Sequence, residues 1–307
     1  MAPRQTSRSL LVVDRFAPEA KALRKVIDDR FKDPRRLHPD RFRWDLWNVP
    51  DQYTLLRTPA WEYFPEDLYT RFHTRLVLWG RRVLGCHDIS PPWLSAYVNG
   101  CEQALHGDLP HGPFAFVFSL TKWDQRVFRG GETVMLKDSV LDYWNDFRSV
   151  RSVEGAALTT RIEPKFSRLV VFDPRVPHGV RRVSGTMDPS EGRIVVHGWF
   201  VNPRPFIEGP LPPKRAQELI GEVSNAVAPW IGAGLRVAGV LSYRFTVGAD
   251  GRPRNLRLLA NTTRVPREES RAQRALIADI ERTVRDHRFP RAKSVSTMTL
   301  PIVFERD

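Results

Sequence analysis

Four side chains of this 307-residue chain have types and spacings that could hold a metal ion with an anion beside it. His106 and Asp108 flank a single glycine. On extended backbone, residues i and i+2 point to the same face, so both side chains can reach one ion. His178 offers a third donor, just after the apolar run RLVVFDP, in the turn-like stretch Val176-Pro177-His178-Gly179. Two imidazoles and one carboxylate leave three coordination positions open. That donor set matches the facial triad of non-haem Fe(II) oxygenases, whose open positions take a chelating co-substrate and O2. Arg193 follows His178 by fifteen residues, at the start of RIVVHGWF. A guanidinium there could grip a carboxylate through two parallel hydrogen bonds. An isolated His-x-Asp is a weak signal, and a lone turn histidine is usually solvated. What strengthens both is that each borders a strand-like run.

The elements that must position these groups are short. Between residues 93 and 202, the runs WLSAYV, FAFVFSL, ETVML, RLVVFD and RIVVHGWFV alternate with turn residues, the pattern of an all-β sandwich or barrel. Ahead of them, Leu10–Asp14 reads as a strand. Pro18 and the spacing of Ala20, Leu23, Ile27 and Phe31 predict a helix, and Pro65 with Leu68, Phe72, Leu76 and Trp79 predicts a second. Prolines crowd NPRPFIEGPLPP, which reads as an extended boundary. Beyond it come a helix over 214–229, the strand VLSYRFTV, an Asp250-Gly251 turn, a strand at Asn255–Leu259, a helix over 268–287 and the strand MTLPIVFE.

Taken together, these residues resemble the 2-oxoglutarate/Fe(II)-dependent dioxygenases, and most closely their prolyl 4-hydroxylase-like domain. His106-Gly107-Asp108 corresponds to the family's His-x-Asp motif, Gly130-Gly131-Glu132-Thr133 to its Gly-Gly-Glu segment, and Val176-Pro177-His178-Gly179 to its distal histidine. The resemblance covers roughly residues 10–202. It implies a double-stranded β-helix (jelly-roll or cupin-like) core with flanking helices. It also implies His106, Asp108 and His178 as ligands of Fe(II), with Arg193 and Tyr97 holding the far carboxylate of the co-substrate 2-oxoglutarate, and ascorbate as a candidate stimulant. Prolyl hydroxylases commonly place a lysine, nearer the histidine, where this chain has Arg193; Arg181 and Arg182 compete with it. The intact carboxylate of Asp108 implies hydroxylation rather than halogenation. His197, His111, Trp123, Trp199 and Glu132 each have a site reading and a structural reading, as pocket lining or as packing and turn residues.

Residues 237–306 resemble the TonB C-terminal domain, which implies a small C-terminal α+β domain for peptide binding or dimerisation. The membrane anchor and long spacer of TonB are not found in the sequence, so energy transduction is not implied. The expected division is an oxygenase domain at 1–209 (barrel core about 93–202), a linker at 210–213 and the α+β domain at 214–307.

Composition narrows the function. With 41% hydrophobic and 27% charged residues the chain is not globally disordered. Two cysteines exclude a disulfide framework or a cysteine-rich zinc site. A formal charge of +13 favours anionic partners. No helix-turn-helix, zinc-finger or RNP-like motif points to nucleic acid, which leaves oxidative demethylation of nucleic acid, or a non-catalytic barrel, as the alternatives. The run Leu10–Val13 is too short for a signal peptide and no apolar stretch is long enough to span a bilayer, so a cytoplasmic enzyme without membrane contact is expected. The expected substrate is a peptide, protein or amino-acid derivative, hydroxylated at an unactivated C–H bond with release of succinate and CO2. A homodimer is a candidate assembly.

Overall fold

The computed structural model describes residues 4–7, 10–33, 43–108, 111–137, 140 and 158–305. Two compact units divide it: Met1–Leu76 with Ile89–Val201, and Val77–Asp88 with Asn202–Asp307. Among the described residues, no helix is long and apolar enough to cross a membrane.

The first unit opens with β1 (Arg4–Ser7), β2 (Leu10–Val13) and α1 (Ala20–Phe31). A hairpin of β3 (Asp45–Val49) and β4 (Tyr53–Pro59) follows, then α2 (Ala60–Tyr63) and α3 (Glu66–Val83), whose last turns belong to the second unit. After β5 (Cys86–Ile89) come β6 (Trp93–Tyr97), β7 (Glu102–His106), β8 (Phe114–Ser119), β9 (Thr133–Leu136), β10 (Thr159–Ile162), β11 (Leu169–Phe172), β12 (His178–Val180) and β13 (Arg193–Pro203). They form one antiparallel sheet of order β1-β2-β11-β8-β13-β6-β4-β7-β12-β9-β10, with β3 on β4. The sheet therefore takes in β1 to β4 as well as the strands of the 93–202 region.

Alternation assigns the two faces. On β13, Ile194, Val196 and Phe200 are fully buried on one face, opposite Leu94 and Ala96 of β6 and Phe118 of β8. Phe72 of α3 lies against Phe118 with ring centroids 4.8 Å apart, so the expected stripe Leu68, Phe72, Leu76 caps this face. The other face carries Arg193, Val195, His197 and Trp199, and it borders a cavity of about 560 Å³. Phe172 of β11 and Thr133 of β9 line the same cavity although many strands separate them in the sheet. The sheet is thus curled around it.

The second unit adds β14 (Phe206–Glu208), α4 (Lys214–Gly232), β15 (Gly239–Val247), β16 (Pro253–Asn261), α5 (Ser270–Asp286) and β17 (Ser296–Phe304). Its antiparallel sheet has the order β14-β17-β15-β16. The proline-rich stretch is structured in part: Phe206–Glu208 pairs with β17, and Leu211 is buried, its N–H bonded to Ser296 Oγ at 3.0 Å. Leu241, Tyr243 and Phe245 of β15 pack with Leu276 and Ile280 of α5 and Leu219 and Val223 of α4. Ser242 and Arg244, on the opposite face of β15, bond the carbonyls of Leu84 and Arg82 at 2.8 and 3.2 Å.

Candidate metal centre

His106 ends β7 and His178 begins β12, and the two are cross-strand partners. Their rings lie 4.5 Å apart. The pairing needs Gly179: a Cβ there would stand 2.4 Å from the carbonyl oxygen of Gln103 on the facing strand. His178 therefore starts a strand instead of sitting in a turn. Asp108 lies just past β7, where its N–H bonds the Pro174 carbonyl at 2.9 Å and brings the carboxylate back over both rings. His106 Nε2 is 3.3 Å from Asp108 Oδ1, and His178 Nε2 is 3.2 Å from Oδ2. One ligand atom from each residue lies within 4.8 Å of the others.

The hydrogen bonds select the tautomers. His106 Nδ1 donates to the Ala104 carbonyl and His178 Nδ1 to the Val176 carbonyl, both at 2.9 Å. With each Nδ1 held by a carbonyl, Nε2 is the atom that faces Asp108: while it carries a proton it donates to the carboxylate, and when a metal takes that proton's place it offers its lone pair. Burial pushes the Asp108 carboxyl up, but hydrogen bonds from His106 and His178 outweigh it and hold it well below the usual carboxylate range. Asp108 is thus an anion, and the donor set suits a divalent first-row cation.

Arg193 is 1% exposed at the start of β13, paired with Tyr97 of β6. Its Cζ lies 4.5 Å from the Tyr97 ring centroid, and Nη2 donates to Thr133 Oγ1 at 3.1 Å. Nε and Nη1 are buried without a partner. An arginine stays charged in a protein. A buried guanidinium with two idle donors, on the wall of the cavity that holds the triad, fits the carboxylate of a bound acid. Arg181 and Arg182 are placed differently. Arg181 pairs with Glu132 at 3.0 Å and Arg182 with Glu102 at 3.7 Å, both are exposed, and neither borders the cavity. The Gly-Gly pair before Glu132 has a steric cause: Gly130 has φ +78°, and a Cβ there would stand 1.8 Å from the Arg182 carbonyl oxygen.

Residues 92–201 match the 2OG-Fe(II) oxygenase superfamily. These residues form a 2OG-Fe(II) oxygenase domain, which makes the chain a dioxygenase of the 2-oxoglutarate-dependent kind. Among solved structures, a Pseudomonas putida prolyl-4-hydroxylase is 17% identical over 64% of this chain and 94% of its own, with a TM-score of 0.41. HygX from Streptomyces hygroscopicus, solved with nickel, 2-oxoglutarate and hygromycin B, is 14% identical over 62% of this chain and 82% of its own, at 0.40. A viral collagen prolyl hydroxylase from Paramecium Bursaria Chlorella virus-1 is 14% identical over 63% of this chain and 96% of its own, at 0.37. No match is found among curated proteins.

The remaining residues divide between wall and core. His197 lines the dioxygenase cavity, with Nε2 2.8 Å from Ser95 Oγ; burial, helped by the charge of Arg193, pulls it down to about 4. Trp199 also lines it and stacks on His111 at 4.4 Å. Trp123 is 3% exposed and packs in the core with Phe128 and Val183. Sequence reasoning missed Arg57 and Trp93 and named Thr133 only within the Gly-Gly-Glu segment; all three lie on the cavity wall. The alternation Tyr53, Leu55, Arg57 on β4 was the available signal for Arg57.

Proposed function

We propose that His106, Asp108 and His178 hold Fe(II), that Arg193 takes the far carboxylate of 2-oxoglutarate, and that the enzyme hydroxylates an unactivated C–H bond of a peptide, protein or amino-acid-derived substrate. The observation that carries the reading is Arg193: a buried cation with two idle donors, sharing one cavity with the triad. The bound iron would supply the oxidising chemistry, coupled to conversion of 2-oxoglutarate into succinate and CO2. The protein's part is positional. The Ala104 and Val176 carbonyls fix the imidazoles, Thr133 and Tyr97 fix the guanidinium, and the apolar wall of Val195, Phe172 and Ala115 limits water. On this reading the curled sheet is a double-stranded β-helix, and residues 214–307 serve as a TonB-C-terminal-like α+β module for substrate capture or dimerisation.

The test is an anaerobic titration of 2-oxoglutarate into Fe(II)-loaded protein, followed by a succinate assay in air. We expect one iron and one 2-oxoglutarate per chain, and slow succinate formation without added substrate. Protein that takes up iron but no 2-oxoglutarate would contradict the role given to Arg193.

A further inference from the structure

On the strength of that oxygenase reading, we infer that Arg57 anchors the substrate and that the substrate carries a carboxylate seated against it. Arg57 lies on β4, opposite Asp45 of β3 and Ser95 of β6, and lines the cavity. Trp47 pairs with Leu55 and Trp93 with Pro59, each one diagonal step away on the same face. The Arg57 Cζ lies 2.9 Å from the Trp47 ring centroid and 4.1 Å from that of Trp93. The two centroids are 6.4 Å apart, so the guanidinium sits between the indoles. The two indoles, tilted 53° to each other, flank the cation on two sides, and its N–H groups can still hydrogen-bond.

One of those N–H groups is idle. Nε is buried without a partner, and no described carboxylate forms an ion pair with the group; Asp45, its cross-strand neighbour, acts on it only through its charge. A buried N–H without a partner costs free energy, which an anion seated against it recovers. The co-substrate does not fill this role, because its carboxylate has Arg193. The registers keep the two arginines apart: Arg193 faces Tyr97 and Arg57 faces Ser95, two residues back along β6. One face of the sheet thus offers two anion seats, one for each of two bound molecules. Access follows from the aromatic neighbours. Trp93 lines the cavity, while Trp47 and Trp61, both 6.4 Å from it, are 37% and 40% exposed. Apolar surface therefore runs from solvent to Arg57, suited to an acid whose carboxylate adjoins a flat or apolar group.

The test is calorimetry on anaerobic protein loaded with Fe(II) and 2-oxoglutarate. One arm compares phenylacetate with phenylacetamide; the other compares a capped alanine-flanked peptide bearing a central Glu with its Gln twin. In at least one arm the acid should bind about tenfold tighter than the amide or more, as a charge-assisted hydrogen bond allows, and Arg57→Gln should abolish the preference. The arm that responds tells a small acid from an acidic peptide. Equal binding of acid and amide, no binding in either arm, or a preference that survives Arg57→Gln overturns the inference. Should Arg57→Gln fail to fold, Trp47→Leu removes one side of the sandwich on an exposed hairpin and should cut the preference about threefold; an unchanged ratio overturns the inference equally. Iron and 2-oxoglutarate uptake by the wild-type protein, measured first, reports on the oxygenase reading alone.

Discussion

Two arginines on two antiparallel sheets are used in opposite ways. Arg244, on β15 of the second unit, bonds the Arg82 carbonyl, Thr299 Oγ1 at 2.8 Å and Glu208 at 2.6 Å. Arg193, on β13 of the first unit, is more deeply buried and makes one side-chain hydrogen bond, to Thr133. A buried charge left without partners costs free energy that a folded chain otherwise avoids. Arg244 is a structural tie between β15, β17 and the end of α3. Arg193 keeps Nε and Nη1 without a partner, as the role proposed for it requires. The contrast is one of charge: the unpartnered buried donor on β15 is the neutral Tyr243 hydroxyl, whereas the cavity side of β13 leaves a cation, Arg193, with idle donors, beside the unpartnered Trp199 Nε1.

The strongest way to break the contrast is at the metal corner. Asp108→Ala should reduce iron occupancy and succinate formation about a hundredfold or more, with the fold intact by circular dichroism. His106→Ala and His178→Ala should follow it. Full turnover in Asp108→Ala would remove that residue from the site.

Matched substitutions at the two arginines sharpen the comparison. Arg193→Met should weaken 2-oxoglutarate binding roughly 10–100-fold, the worth of a lost charge-assisted pair, and leave denaturant stability equal or higher because an unpaired buried charge is gone. Arg244→Met should cost stability of about 1–2 kcal/mol, because Glu208 loses one of its two arginine partners, Arg82 remaining, and Thr299 Oγ1 loses a donor. Equal losses of stability at both positions would mean that Arg193 is a structural tie as well.

The two halves of the candidate site differed in how far they could be read from the chain. The triad was legible because its information is local: His106 and Asp108 are two residues apart, and His178 adjoins the strand-like RLVVFD. The place of Arg193 on the cavity wall was legible through one run, RIVVHGWF. Arg57 was not, because its place on the cavity wall depends on the register of β3, β4 and β6, and β3 is nearly all exposed and lacks an inward alternation. Strand β7 was hidden for a related reason. Its sequence, EQALH, has no apolar periodicity, and it extends because β12 and β4 pair with it. The helices were legible wherever one apolar stripe met a core, as in α1, where Ala20, Leu23 and Ile27 are all buried.

A smaller effect should appear at His197. Its folded value is pulled down to about 4, first by burial and then by Arg193, against roughly 6.5 in an unfolded chain. Between these two values the unfolded chain binds a proton that the folded chain refuses. Stability should therefore fall as pH drops from about 6.5 to 4, by on the order of 2–3 kcal/mol from this residue. His197→Gln, which can still accept a bond from Ser95, should flatten that part of the pH–stability curve. An unchanged slope would place the acid sensitivity elsewhere.

The smallest expected effect separates Arg193 from its sequence neighbours. Arg181 pairs with Glu132 at 3.0 Å on an exposed edge, with 42% of its side chain accessible. Such a pair contributes about 0–1 kcal/mol, because water screens it and two long side chains must be ordered to form it. Arg181→Ala should therefore shift stability by less than about 1 kcal/mol and leave the 2-oxoglutarate dissociation constant unchanged. The same titration that reads Arg193→Met reads this variant, so the two arginines are compared on one scale. If Arg181→Ala weakens 2-oxoglutarate binding as much as Arg193→Met does, the charge of the β12–β13 region as a whole, instead of one buried guanidinium, holds the co-substrate. Raising the salt concentration then decides the matter: binding through exposed charge falls steeply with ionic strength, whereas a bond inside the cavity is screened far less.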